Sequence, residues 1–150
     1  MNQLKNIERE HIDLQSEGKV FIVVIEDDYD DVELLCESIK EANVKANVEC
    51  FKSAKKAFEY LNELDEQTNP SLFILDYNLP ITNGYQILLE LNTIPRFRQV
   101  VKIIYTNSSN PREKDSCLSS GATAFIQKRF TVTEINEDVK TMLSYINLYN

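Results

Sequence analysis

The chain has 150 residues, of which 43% are hydrophobic and 27% charged, with a net charge of −8. That length is one domain by the usual prior, and the balance is that of an ordinary globular protein. The negative charge argues against a general nucleic-acid binder, which needs a basic footprint. Cys36, Cys50 and Cys117 are odd in number and show no CxxC spacing, which speaks against a disulfide or zinc framework and for small buried thiols. No apolar run approaches the roughly 18–20 residues of a membrane span, and no signal-peptide core follows Met1. A cytoplasmic protein with no membrane and no nucleic-acid partner is expected.

Residues 1–18 are an N-terminal extension. Leu4, Ile7, His11 and Leu14 fall at helical spacing with Gly18 as a stop, so this segment reads as an amphipathic helix or a tail, and His11 as a solvated side chain. Residues 19–150 form the main domain. Val20–Ile25 is a continuous apolar run, the pattern of a strand buried on both faces. Val32, Leu35, Cys36 and Ile39 then mark a helix from about Asp30 to Glu41, whose first turn carries Asp28, Asp30 and Asp31 as acids suited to the helix dipole. Asn47–Phe51 reads as a strand, Ser53 as the cap of a helix with Ala54, Ala57, Phe58, Leu61 and Leu64 inward, and Ser71–Leu75 as a third strand. Gly84 opens a helix that Pro95 ends. Val100–Tyr105 is a fourth strand, followed by a helix capped by Asn110 with Pro111 first and Glu113 completing a capping box. Gly121 stops it, Ala124–Gln127 is a fifth strand, and Thr131 with Glu134 caps a last helix carrying an apolar stripe to Ile146.

Five strands alternating with five helices predict an α/β, doubly wound, flavodoxin-like three-layer sandwich, a (βα)5 fold with a parallel sheet of strand order 2-1-3-4-5. In such a sheet ligands sit outside the carboxyl ends of the strands, at the switch point between the first and third. Those two strands end in Glu26-Asp27-Asp28 and in Asp76. Acids gathered in one crevice need either raised pKa values or a hard cation, and Mg²⁺, with its preference for oxygen ligands and for substrate phosphate, fits best. Glu26 and Asp27 stand at the strand's end and are the candidate ligands. Asp28 belongs to the helix cap. Asp76 closes an apolar strand and can serve as ligand and as a nucleophile that accepts a phosphoryl group. Thr106 and Lys128, at the ends of the fourth and fifth strands, supply a hydroxyl and an ammonium for phosphoryl oxygens.

IEDD, LDYNLPITNG, YTN and FIQK, each closing a strand between about Val20 and Asn147, together resemble the response-regulator receiver domains of two-component signalling. The resemblance implies a stand-alone receiver, similar to chemotaxis response regulators, with Asp76 as phosphoacceptor. Asp27 would be the main metal ligand, Glu26 would act directly or through water, and the Asn78 backbone carbonyl would complete the protein's share of the Mg²⁺ shell, with Mn²⁺ a possible substitute. Phe125 falls where the family places a switch aromatic coupled to Thr106. The implied partners are a sensor histidine kinase or phosphotransfer protein upstream and a protein target on the face of the fourth helix, fifth strand and fifth helix. Since nothing follows that helix, no output domain is expected, and the protein would act as a monomer or homodimer. Beyond its own phosphorylation and dephosphorylation no enzymatic activity is implied.

Two positions depart from the family's pattern. Arg129 replaces the usual proline after the lysine, which predicts a trans peptide or a strained loop, since a non-proline cis bond costs ~3 kcal/mol. Asn107 replaces a small residue after Thr106 and would slow access to the site. The rival readings are a phosphorylation-independent interaction scaffold and a Mg²⁺-dependent aspartyl-phosphate phosphatase, the latter wanting a second Asp where Asn78 stands. A flavodoxin-like FMN site is disfavoured because acids follow the first strand.

Overall fold

A computed structural model of the chain describes residues 9–13 and 20–146. Its strands are β1 (Arg9–Asp13), β2 (Val20–Ile25), β3 (Ala46–Phe51), β4 (Leu72–Leu75), β5 (Val101–Thr106) and β6 (Ala124–Gln127). Its helices are α1 (Tyr29–Glu41), α2 (Ala54–Glu63), α3 (Gly84–Thr93), α4 (Pro111–Ser119) and α5 (Val132–Ser144). The sheet order is β1-β3-β2-β4-β5-β6. Strands β2 to β6 are parallel to one another and, counted from β2, keep the 2-1-3-4-5 order of the flavodoxin-like fold.

The alternation of each strand explains the three layers. Ile22, Val24, Val48, Ile74 and Ile103 pack on one side with Leu35 and Ile39 of α1 and Val139 and Met142 of α5. Val23, Ile25, Phe73, Leu75 and Ile104 pack on the other with α2, α3 and Cys117 of α4. A sheet covered on both faces favours apolar residues on both, which is why β2 and β4 read as unbroken hydrophobic runs. All three cysteines are buried, and none forms a disulfide. None of the described helices is long and apolar enough to cross a membrane.

Local rules set most helix starts. Ser53 Oγ accepts from the Lys56 amide at 3.3 Å, Thr131 Oγ1 from Glu134 at 3.1 Å, and Asn83 with Gln86 forms a reciprocal capping box at the start of α3. At α4 the expected capping box is not formed. Asn110 caps by accepting from the Arg112 amide, while the Glu113 carboxylate turns back to accept from the Ser108 hydroxyl at 2.8 Å.

The N-terminal extension also departs from expectation. Arg9–Asp13 is an antiparallel strand on β3, with Arg9 opposite Phe51 and Asp13 opposite Asn47; Leu4, Ile7 and Leu14 lie outside the described residues. His11 is half-exposed, yet its Nδ1 lies 2.7 Å from Glu49 Oε1, and Arg9 reaches the same carboxylate at 3.2 Å and stacks over the Tyr60 ring at 4.3 Å. Helical spacing of four residues is a weak signal beside an unpaired sheet edge, whose backbone groups gain partners when a strand adds to it.

The loop between α2 and β4 hangs on one side chain. The Arg96 guanidinium donates to the carbonyls of Leu64, Asp65 and Thr68 and to Asn69 Oδ1, at 2.6–3.0 Å. Arg96→Ala should therefore cost about 1–2 kcal/mol in urea unfolding, the upper end limited because most of these bonds face water. A loss below a few tenths would mean the loop holds itself.

Candidate phosphoryl-transfer site

Strand register brings the site together. Ile25 pairs with Leu75 across β2 and β4, and the Asp76 amide donates to the Ile25 carbonyl at 3.0 Å, so Glu26 and Asp76 leave the sheet at one level. Thr106 pairs with Gln127, and the Lys128 amide donates to the Thr106 carbonyl at 2.7 Å, which sets Lys128 beside the same edge. Glu26, Asp76, Thr106 and Lys128 are all buried, whereas Asp27 is exposed.

One carboxylate oxygen from each of Glu26, Asp27 and Asp76 lies within 4.8 Å of the other two. Oxygens around an octahedral Mg²⁺ at ~2.1 Å lie roughly 3–4 Å apart, so small side-chain motions close this trio on a cation, and three crowded carboxyl groups supply the reason to hold one. The residues present fit a hard divalent ion. Asn78 stands beside them: its amide donates to Asp76 Oδ1 at 3.2 Å and its side-chain nitrogen to Thr106 Oγ1 at 3.4 Å. The Ser108 amide also donates to Thr106 Oγ1, at 3.3 Å. With these two donors occupying its oxygen, the hydroxyl proton of Thr106 is left to point toward an acceptor in the site.

Lys128 meets more acid than one ammonium can neutralise. Its Nζ donates to Glu26 in a short contact and to Asp31 Oδ2 at 2.7 Å, and lies 3.7 Å from Asp76 Oδ2. Burial alone would lower its pKa, but the charges of Glu26 and Asp76 and the bonds to Asp31 and Glu26 leave it raised, so it stays cationic. Glu26 is pushed up to about 8, first by burial and then by Asp76, with Lys128 pulling the other way. Since its unfolded value is 4.5, the folded state binds the extra proton between these values, and Glu26 makes the domain less stable as pH rises from about 4.5 to about 8. In chelator, the urea midpoint should fall across that window, and Glu26→Gln should flatten the fall.

Gly84 explains its place in the loop. A side chain there would run into the Asp76 carbonyl oxygen and come within 2.8 Å of Tyr77 Cα, so α3 can start this close to the Asp76 backbone only with glycine. In the same loop Ile81 is fully exposed and sits at φ 69°, a left-handed conformation costly for a β-branched residue.

The neighbours of the two phosphate-oxygen candidates behave differently from one another. Asn107 is exposed. Arg129 ties the residue after Lys128 to α5, donating to Asp138 Oδ1 at 2.6 Å through Nη2 and 3.1 Å through Nε, and to the Glu134 carbonyl at 3.1 Å. The described residues contain no cis peptide bond, as expected for Arg129, and the Arg129–Asp138 ion pair ties the β6–α5 loop to α5. Phe125 is half-buried against the core layer of α2, α3 and α4.

Asp31 is the residue that sequence reasoning missed. Its place in the first turn of α1 gives it a sufficient role as a helix-dipole acid, but that turn begins directly at the strand end, so its side chain also reaches Lys128. Asp28, by contrast, does cap α1, accepting from the Asp31 amide at 3.1 Å.

Comparison with known proteins agrees with this fold. The chain is 25% identical over 129 residues to the two-component response regulator ARR17 of Arabidopsis thaliana, covering 81% of this chain and 83% of that protein. It is 25% identical over 114 residues to chemotaxis protein CheY1 of Helicobacter pylori, covering 76% and 92%. The fold is similar to that of the phosphorylated cyanobacterial phytochrome response regulator RcpA, with a TM-score of 0.76 at 23% identity over 87% of this chain and 99% of that one. The Mn²⁺-bound form of response regulator Rcp1 is similar too, with a TM-score of 0.75 at 20% identity over 87% and 99%. The model of the response regulator receiver domain matches residues 22–140, and the chain belongs to that family.

Proposed function

We propose that the chain is a response-regulator receiver that takes a phosphoryl group onto Asp76 in a Mg²⁺-dependent reaction and signals by contact with other proteins. The observation that carries this is the meeting of Glu26, Asp27 and Asp76, whose oxygens lie within 4.8 Å, with the Lys128 ammonium 3.7 Å from Asp76. Glu26, Asp27, Asp76 and the Asn78 carbonyl would hold Mg²⁺, or Mn²⁺ as in the Rcp1 structure, and the ion when bound neutralises charge on the transferring group. An Asp76 oxygen attacks the phosphorus of a phosphohistidine on a kinase or phosphotransfer partner. The O–P bond forms as the N–P bond breaks, and the electron pair stays on the imidazole, which takes a proton from water. Lys128 and the Thr106 hydroxyl bind the phosphoryl oxygens, so the chain's share of catalysis is positioning and electrostatics. Hydrolysis reverses the state: water attacks phosphorus, and Asp76 leaves as carboxylate with release of inorganic phosphate.

Thr106 and Phe125 are the proposed switch pair, and the face of α4, β6 and α5 the surface read by a downstream protein. The half-buried position of Phe125 leaves its ring an inward and an outward placement to choose between. The phosphatase reading loses its general acid, because Asn78 has an amide, which donates to Thr106 and cannot give up a proton as an acid. The test is incubation with Mg²⁺ and acetyl phosphate, read by intact mass. Gain of one phosphoryl group, lost on chelation of the metal, is expected. Folded protein that gains none and binds no beryllofluoride would leave the interaction-scaffold reading in its place.

A further inference from the structure

Lys128 is shared between carboxylates in a way that the phosphoacceptor reading alone does not use. Its three N–H groups find Glu26 and Asp31 at hydrogen-bond distance, while Asp76 at 3.7 Å is too far for one. We propose that Asp31 is a positioning residue for Lys128: it holds the ammonium in the resting protein and competes with the phosphoryl group for it, so that it weakens the phosphorylated state. The proposal rests on Asp76 being the phosphoacceptor.

Three observations support it. Asp31 is pinned by helix register, since its amide is bonded to the α1 cap Asp28, so its carboxylate cannot drift far from Lys128. Glu26 is the other tether, and it is committed elsewhere: Oε2 accepts from the Asp28 amide at 3.2 Å, and Oε1 is the oxygen that Lys128 uses. Glu26 cannot offer that oxygen to a cation and to Lys128 at full strength together, whereas Asp31 lies outside the carboxylate trio and keeps its hold. Finally, the step that Lys128 must take is short. Its Nζ lies 3.7 Å from Asp76 Oδ2 and 2.7 Å from Asp31 Oδ2, so a dianionic phosphoryl group on Asp76 draws the ammonium out of hydrogen-bond distance of Asp31. Asp31 is 31% exposed, so its pull is partly screened without being lost.

The experiment compares beryllofluoride affinity in saturating Mg²⁺, and Mg²⁺ affinity alone, for wild type, Asp31→Asn and Asp30→Asn. Asp30 is an exposed acid of the same helical turn and controls for general charge. Asp31→Asn should raise beryllofluoride affinity about tenfold, the scale of one charge-assisted bond at a half-buried site, with Mg²⁺ affinity within about twofold of wild type. Asp30→Asn should leave both within about twofold. An unchanged beryllofluoride affinity in Asp31→Asn overturns the proposal, as does a parallel rise in Mg²⁺ affinity or an equal rise in Asp30→Asn, either of which is only loss of negative charge. If wild type itself binds no beryllofluoride in Mg²⁺, the phosphoacceptor reading falls and takes the proposal with it; wild-type binding with no response to Asp31→Asn sinks the proposal alone.

Discussion

Asp76→Asn should abolish phosphoryl uptake from acetyl phosphate, a loss of at least about a thousandfold, while making the protein more stable. The amide is neutral, a poor nucleophile and unable to form the acyl phosphate. Its oxygen can still accept from the Asn78 amide, as Asp76 Oδ1 does at 3.2 Å, so the loop keeps its shape. What disappears is one buried negative charge beside Glu26 and Asp27. Asp76 helps push the Glu26 carboxyl up to about 8, second only to burial among the groups that raise it. Removing that repulsion should stabilise the metal-free fold by about 1 kcal/mol, more than the 3.7 Å contact with Lys128 contributes in the opposite direction. The same substitution takes one ligand from the trio, so added Mg²⁺ should raise the melting temperature less than in wild type. The opposite signs of the activity and stability effects are the useful signature, since a merely structural residue would lose both together. A phosphoryl adduct that persists in Asp76→Asn would show that another group is the acceptor.

The parallel core was legible because both faces of the sheet are covered, so β2 and β4 carry apolar runs that admit few alternatives. Glu26, Asp27, Asp76, Thr106 and Lys128 were legible as a group, because each stands at or just past the end of one of the parallel strands. Asp31 was not, since an acid in a first helical turn already has a sufficient local reason, and its second contact depends on the long-range approach of β6 to α1. Strand β1 was hidden for a related cause: its pairing depends on an open edge of β3, and the segment around it offers a helical spacing in Leu4, Ile7, His11 and Leu14. Glu113 shows the limit of a motif, since a hydroxyl two residues before the cap offers its carboxylate a competing donor. The pattern is consistent. Signals that are paid in buried apolar area could be read from the chain, and contacts settled between two polar alternatives could not.

Lys102 is a buried cation that no site uses, and replacing it should be costly. Its side chain is 1% exposed, and its Nζ donates to the carbonyls of Phe97, Arg98 and Val100 at 2.6, 3.0 and 2.9 Å, closing the turn between α3 and β5. Met fills nearly the same volume and ends the burial of a charge, which favours the variant. It also takes the ammonium from three carbonyls, of which that of Phe97 keeps the Val100 amide at 3.1 Å, and removing one partner of a buried polar set costs more than the desolvation it relieves. Lys102→Met should therefore lose about 2–4 kcal/mol of unfolding free energy at neutral pH. The effect carries its own pH dependence. Burial lowers the Lys102 pKa from 10.5 to about 8, so between those values the unfolded chain binds more protons than the folded one, and this group adds stability as pH rises through the window. The neutral amine that forms keeps two N–H groups for the carbonyls. The gap between wild type and Lys102→Met should thus widen from about pH 8 upward, opposite in sign to the Glu26 contribution below pH 8. Equilibrium urea unfolding at pH 7, 8.5 and 9.5 reads both effects, and a variant as stable as wild type at pH 7 would mean that the turn closes without the ammonium.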